Sequence, residues 1–370
     1  MSQWLDAIKF GDGHNGSPAV SGTINTYAAC TGAAAATSLT TALSASAGDV
    51  ILIHQSQGTG AGQWEINYVL ADAGATLTLA YPLAYTYGTG AQAVLVPQYT
   101  GGTLNGAVTA TSWGGSVGGI IALMSNGDLT ISGSVSANAI GYRGSSARAS
   151  AVDRTGGRGE CTTGFDDTTE STTNNVNGGG GGQTGASVGT AGGGGGGGNG
   201  AVGTTGATSA QGRVGGTGGS AVGIAALTNS VFGGGGGSGG QDDNSVGSTG
   251  AGGRGGGLVF IFTRNLTVSG SVVATGANGA NSTVNGHGGG GGGAGGSVLI
   301  KCQTGILGTT KITSSGGTGG TGNSGSGAGG AGAVGRIHID YSDAYTGTTS
   351  PAINATQVVS LKSQVYSGMI

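Results

Sequence analysis

The sequence predicts an all-β protein with almost no α-helix: an N-terminal β-sandwich or meander, then repeated strand pairs that bracket a glycine-rich bundle of polyglycine II helices. Three observations predict it. Glycine supplies 91 of 370 residues and is gathered into runs; apolar and polar residues alternate with period two in the first third; and one apolar segment recurs farther along the chain. A run of glycine has no side chain to bury and loses the most conformational freedom on ordering, so it is neither helix interior nor ordinary core strand.

Residues 1–144 read as a β-rich scaffold or anchoring region. Asp49-Val50-Ile51-Leu52-Ile53-His54-Gln55 is a buried-strand candidate, followed by the turn residues Gly58-Thr59-Gly60-Ala61-Gly62. Trp64, Ile66, Tyr68 and Leu70 then alternate with Glu65 and Asn67, as in a half-buried strand. Thr76 to Tyr81 and Ala91 to Val96 continue the pattern, with Pro82 and Pro97 after the strands, where a missing amide donor does least harm.

An internal repeat follows. Ile120-Ile121-Ala122-Leu123-Met124 leads to Leu129-Thr130-Ile131-Ser132-Gly133-Ser134-Val135-Ser136-Ala137. Leu258-Val259-Phe260-Ile261-Phe262 leads in the same way to Leu266-Thr267-Val268-Ser269-Gly270-Ser271-Val272-Val273-Ala274. Weaker copies follow at Ser297-Val298-Leu299-Ile300-Lys301-Cys302, which leads to Lys311-Ile312-Thr313, and at Val334-Gly335-Arg336-Ile337-His338-Ile339-Asp340-Tyr341. Each copy reads as a strand pair, and after each of the first three the chain departs into glycine-rich sequence. Excursions from a stacked scaffold start and finish close together, which sets the glycine tracts side by side. The expected organisation is a charged loop over 145–177, a polyglycine bundle over 178–257, strand repeats with interleaved tracts over 258–345, and a C-terminal strand or tail over 346–370. In that tail Gln357-Val358-Val359-Ser360-Leu361 is strand-like and suited to adding to another chain's sheet.

The tracts run from Gly178 to Gly182, Gly192 to Gly198, Gly233 to Gly237, Gly252 to Gly257 around Arg254, and Gly288 to Gly296 around Ala294. A left-handed threefold helix rising about 3.1 Å per residue has no internal hydrogen bonds, so its peptide groups point outward. Bare glycine backbones can approach closely enough to bond one another directly. Ordering costs about 1–2 kcal/mol per residue against about 1 kcal/mol returned by a net hydrogen bond, so one such helix alone does not form. A bundle bonded on several sides, with dispersion from close contact, can hold. The alternative is flexible Gly/Ser linker. Three features stand against it: the apolar strands bracketing the tracts, companions that are not dominated by serine, and charged residues at only 7% beside 36% hydrophobic, whereas a solvated disordered chain is charge-rich.

The alternation of glycine-only tracts with short, dissimilar segments is seen in Gly192 to Gly198, Ser209 to Val214, Gly233 to Gly240, Gln241 to Val246 and Gly288 to Gly296. It resembles the polyglycine-helix adhesins at the tips of T-even-type phage tail fibres, over roughly 178–335. The resemblance implies a layered sandwich of glycine helices whose distal loops recognise host surface receptors. Phe10-Gly11-Asp12-Gly13 and His54-Gln55-Ser56-Gln57-Gly58-Thr59-Gly60 are also similar to glycine-rich proteins of prophages and environmental bacteria.

The charge balance of -3 provides no basic stripe, so nucleic acid is not an expected partner. No stretch approaches the roughly 20 apolar residues of a membrane span. Met1-Ser2-Gln3-Trp4-Leu5-Asp6-Ala7-Ile8-Lys9 lacks the features of a secretory signal, which leaves a virion part or a leaderless route to the cell exterior. Cys30, Cys161 and Cys302 are odd in number and far apart, so a disulfide framework is not the source of rigidity.

Residues able to carry chemistry are few. His14, His54, His287 and His338 are isolated, and no nucleophile, zinc or dinucleotide motif accompanies them. Asp166, Asp167 and Glu170, and again Asp242 and Asp243, gather oxygen ligands suited to calcium, but without the tandem nonapeptide of calcium β-rolls they read as solvated loops. The segment from Arg143 to Asn177 concentrates a large share of the chain's charge. Arg148, Arg154, Arg158, Phe165, Asp166 and Asp167 within it are the candidate recognition surface, with a solvated cover or subunit contact as the alternative. Leu227-Thr228-Asn229-Ser230-Val231-Phe232 is an apolar insert suited to capping the bundle or burying itself against a neighbouring subunit. The aromatic residues Trp64, Tyr68, Tyr81, Tyr85, Tyr87, Tyr99 and Trp113 read mainly as β-domain core, with carbohydrate stacking as the other use. The expectation is a non-enzymatic, cofactor-free adhesin of a phage virion, oligomeric or polymeric, with a host receptor or glycan as partner. The alternative is a self-assembling extracellular filament or matrix subunit.

Overall fold

The computed structural model describes residues 9–149, 152–185, 189–242 and 247–361. Asp243, Val246 and the tail beyond Leu361 lie outside the described residues. The chain is all-β: the one helical element among them is the three-residue turn Val359–Leu361, and no helix is long and apolar enough to cross a membrane. That turn occupies most of the stretch expected as a C-terminal strand, and the strand lies just upstream at Asn354–Gln357.

The first unit is a closed six-stranded barrel, not the expected sandwich or meander. Tyr27–Thr31, Ser38–Thr41, Val50–Gln55, Trp64–Asp72, Thr76–Leu79 and Ala91–Val96 pair antiparallel around the ring. Closure depends on Tyr27–Thr31, which joins Ala91–Val96 on one side to Ser38–Thr41 on the other and so leaves no free edge. Alternation reports which face of a strand is buried but not which strand closes the ring. Leu39, Ile51, Ile53, Val69, Leu77 and Leu79 fill the interior.

After Pro97 the chain winds into stacked rungs of parallel strands. The repeat units found in the sequence lie directly beside one another in register: Ile120–Ile131 pairs with Leu258–Val268, which pairs with Ser297–Thr313, which pairs with Arg336–Ser350. Equivalent side chains therefore stack in columns. Ile121, Val259, Val298 and Ile337 form one; Leu123, Ile261, Ile300 and Ile339 another; Val108, Val135, Val272 and Ile312 a third. All belong to one almost fully buried core. Each copy is thus one rung of a parallel stack; the two halves of a copy pair with other copies and not with each other.

The alternate residues of the same strands face the barrel. Ile120, Ala122, Met124, Leu258, Phe260 and Phe262 share a second core with Val50, Leu52, Val94 and Val96. Trp64 reaches across, its ring 5.0 Å from that of Phe260. This second contact explains why all six residues of Val50–Gln55 are buried: one face looks into the barrel and the other onto the rungs.

Between rungs the chain makes its glycine-rich excursions and returns through Gly257, Gly296 and Gly335. The residue after each return donates to the preceding copy's glycine: Leu258 N to Gly119 O, Ser297 N to Gly257 O, Arg336 N to Gly296 O. The tracts therefore start in register from the edge of the sheet.

Within the tracts hydrogen bonding has period three. Gly192, Gly195 and Gly198 donate to Gln183, Gly180 and Asn177; Gly193 and Gly196 donate to Ala207 and Thr204; Gly194 and Gly197 donate to Gly289 and Gly292. The carbonyls of 192, 195 and 198 accept from Gly240, Gly237 and Gly234. Those of 193 and 196 accept from Gly216 and Gly219, and those of 194 and 197 from Gly330 and Ala333. Every peptide of the tract is thereby used on both sides, and six separate segments surround it. Such crowding leaves no space for a Cβ, which would come within 1.9 Å of Ala328 O at Gly193, 2.1 Å of Gly237 O at Gly194 and 2.2 Å of Thr217 O at Gly195. Peripheral tracts need glycine only on their inner side: Gly203 and Gly206 are buried while Thr204, Thr205, Ala207 and Thr208 are exposed.

Candidate functional site

The charged segment does not leave the scaffold as a free loop. The carbonyls of Arg154, Gly157 and Glu160 accept from the amides of Gln241, Ser238 and Gly235, and Gly156 and Gly159 donate to Gly182 and Gly179. Glycine every few residues lets this stretch lie against the tract at 233–241, so its backbone is part of the glycine array. Its charged side chains largely serve one another. Arg148 Nη2 donates to Asp167 O, Arg154 Nε pairs with Glu170, and Arg158 Nε donates to Thr173 O at 3.0 Å while its Nη2 donates to Ser171 Oγ at 2.9 Å. Phe165 lies under the Arg143 guanidinium, 4.3 Å from the ring centroid.

Asp166 accepts from Thr168 Oγ1 and Thr169 N in a local turn, and hydrogen bonding by Thr169 lowers its pKa. Asp167 accepts from Ser145 Oγ and Ser146 N. Among the described residues no three His, Cys, Asp or Glu side chains stand within reach of one cation. Of the arginines in this segment Arg154 is the best exposed, at 44% of its side chain, against 12% for Arg148.

Glu160 is the hub that sequence reasoning passed over. Its side chain is wholly buried, and its carboxylate accepts from Arg143 N, Nε and Nη2, Trp113 Nε1 and Gln57 Nε2. Burying a carboxylate is tolerable only with such a set of donors. In sequence, one Glu among several charges carries no mark of that surround.

The apolar insert buries itself within its own chain. Phe232 sits with its ring 5.4 Å from Trp113, 5.2 Å from Tyr142 and 5.8 Å from His54, and Trp64 Nε1 donates to Leu227 O. His54 is fully enclosed between Ser56 Oγ and Ser230 O, and burial pushes its pKa down to about 4. It is a neutral packing residue. Buried His338 pairs with Asp340 on Arg336–Ser350 beside Lys301, and His14 lies between Asp12 and Asp49 at the surface.

Two surfaces remain. One is a cleft of about 880 Å³ at the rim of the barrel, bounded by the loops 55–63 and 84–90 and by Gly115 and Thr163. Gly58 and Gly60, which read as simple turn residues, form part of its wall. The other is the set of turns where the tracts reverse away from the rungs. Gly192 and Gly288 both pair with Gly240, and Gly289 pairs with Gly327, so the turns next to these residues lie at one end. They include 208–213, 281–287 and 321–326, which expose Gln211, Asn281, Thr283, Asn285 and Ser324.

Comparison with known proteins adds no relative. No family model, no curated protein and no solved structure matches the chain. The reading of function therefore rests on the residues and their geometry.

Proposed function

We propose that the protein is a non-enzymatic adhesin, a phage tail-fibre or virion-surface protein, in which the glycine tracts form a polyglycine II lattice that presents recognition loops to a host surface. The observation that carries this reading is the tract at 192–198, whose peptides are all hydrogen-bonded to six surrounding segments with period three. A threefold helix directs successive peptides about 120° apart, and that is the geometry a lattice of such helices requires. A stiff lattice holds its end turns in fixed relation, so short polar turns can act together as a binding face. The resemblance to the tail-fibre adhesins rests on the same alternation of tracts and turns. Arg154, Arg158 and Phe165 flank the lattice and extend the proposed recognition surface; host receptor or glycan is the proposed partner, and virion or cell exterior the proposed location.

A filament or matrix subunit is the second reading, favoured by one feature. Asn354–Gln357 is an exposed strand at the end of the parallel stack, bonded to Arg336–Ser350 alone among the described strands. Such an edge can pair with another copy of the chain. Negative-stain imaging separates the readings: micrometre-long homopolymers of purified protein overturn the adhesin, whereas antibody labelling confined to tail tips of virions overturns the filament.

A further inference from the structure

We infer that the cleft at the barrel rim is a binding site for a neutral oligosaccharide, which on the adhesin reading makes it a receptor-glycan subsite separate from the end turns. Its size falls in the range of small-ligand sites, which run to about 300–1,000 Å³. None of the described residues lining it is charged. Two carboxylates behind the wall are already engaged: Glu65 accepts from Ala84 N, and Glu160 accepts from Arg143, Trp113 and Gln57. The Arg143 guanidinium behind Gly115 is committed to Glu160, so the cleft favours neutral ligands over a phosphate, a sialic acid or a cation.

The cleft instead offers uncommitted neutral hydrogen-bonding groups. Among the described residues the side chains of Thr59, Gln63 and Thr89 and the Tyr85 hydroxyl take part in no hydrogen bond, although all line the cleft. Amides and hydroxyls both donate and accept, as sugar hydroxyls do. Tyr85 adds an aromatic ring, a surface with an apolar body and a polar tip that suits the mixed faces of a pyranose. Gly58, Gly60, Gly88 and Gly90 leave the wall without side chains, so a flat ligand can approach the backbone closely.

The walls are also held in place. Gly58 N donates to Thr162 O at 2.7 Å, and Gln57 Nε2 donates to Cys161 O at 2.9 Å, which ties the barrel loop to the charged segment. Gln55 braces the opposite side, donating to Gln57 O and Thr89 O and accepting from Gly88 N. A pre-formed site binds without the cost of ordering its loops.

The test is titration with saturation-transfer NMR using cellotriose, maltotriose and chitotriose, with sialyllactose and a sulfated trisaccharide as charged counterparts. At least one neutral trisaccharide binds, and Tyr85→Ala and Gln63→Ala each weaken it about tenfold or more while both variants keep the native circular dichroism spectrum, Gln63→Ala with the melting temperature unchanged. Absence of binding across the neutral set, binding of the charged sugars alone, or binding unmoved by both substitutions overturns the site. Whole-cell binding run beside it reports on the adhesin reading separately. Cells held equally by wild type and Tyr85→Ala overturn the cleft as a receptor subsite and keep the adhesin. Trisaccharide binding lost in Tyr85→Ala, with no cell type bound by either protein, upholds the cleft and overturns the adhesin.

Discussion

Arg143 grips Glu160 with two prongs, Nε to Oε2 at 2.9 Å and Nη2 to Oε1 at 3.0 Å, and the carboxylate has no exposure to solvent. Trp113 and Gln57 complete the surround, so one side chain joins the barrel, the approach to the rungs and the glycine array. Removing the carboxylate leaves the guanidinium and an indole N–H without their acceptor. Glu160→Ala is expected to destabilise the protein by about 3–5 kcal/mol, measured by urea denaturation. A loss under about 1 kcal/mol means that the pair does not join these parts.

The tract at 192–198 sets a steric rule. A methyl group at Gly195 would stand 2.2 Å from Thr217 O, whereas Thr205 faces solvent on a peripheral tract. Gly195→Ala is expected to cost at least about 3 kcal/mol, and Thr205→Ala less than about 0.5 kcal/mol. Amides of 193–197 should rank with the slowest-exchanging in the protein; exchange at unfolded-peptide rates would contradict the lattice.

Burial holds the pKa of His54 down at about 4, against about 6.5 when unfolded. The unfolded chain therefore binds a proton that the native protein refuses. His54 contributes stability in full above pH 6.5, and that contribution fades as pH falls toward 4, at about 1.4 kcal/mol per pH unit and roughly 3 kcal/mol in all. Denaturation midpoints across pH 7 to 4 should lose this slope in a His54→Gln variant that still folds. An unaltered slope assigns the pH dependence elsewhere.

Cys30 and Cys302 are buried, and desolvation pushes both thiols up to about 12. A protonated, enclosed thiol is a poor nucleophile. Iodoacetamide at pH 8 should leave both unmodified in native protein and label both in denaturant, as read by peptide mass. Rapid labelling of either in native protein contradicts the packing.

Arg154 and Arg158 differ from Arg148 in what their loss should do. Arg154→Ser and Arg158→Ser are expected to weaken cell binding severalfold while the melting temperature stays within about 2 °C. Arg148, mostly enclosed against Asp167, should instead lower stability when changed to Ser. Cell binding unmoved by both substitutions removes the segment from the recognition surface.

Residue order alone specifies the material of the molecule. Runs of glycine exclude helix and ordinary core strand, and the repeat from Ile120 to Ala137 and from Leu258 to Ala274 already contains the in-register stacking, because its apolar side chains recur at equivalent positions and can pack in columns. Glycine at every position marks an enclosed tract, as at 192–198, and glycine at every third position, as at Gly203 and Gly206, marks a surface one. Which strands meet and which charges are spent depends on the packed chain. Closure of the barrel through Tyr27–Thr31, the burial of Phe232 against Trp113 and Tyr142, and the enclosure of Glu160 all depend on residues distant in sequence. Local pattern reports how a segment prefers to fold, whereas the partner that satisfies a carboxylate or closes a sheet is chosen by the packing of the whole chain.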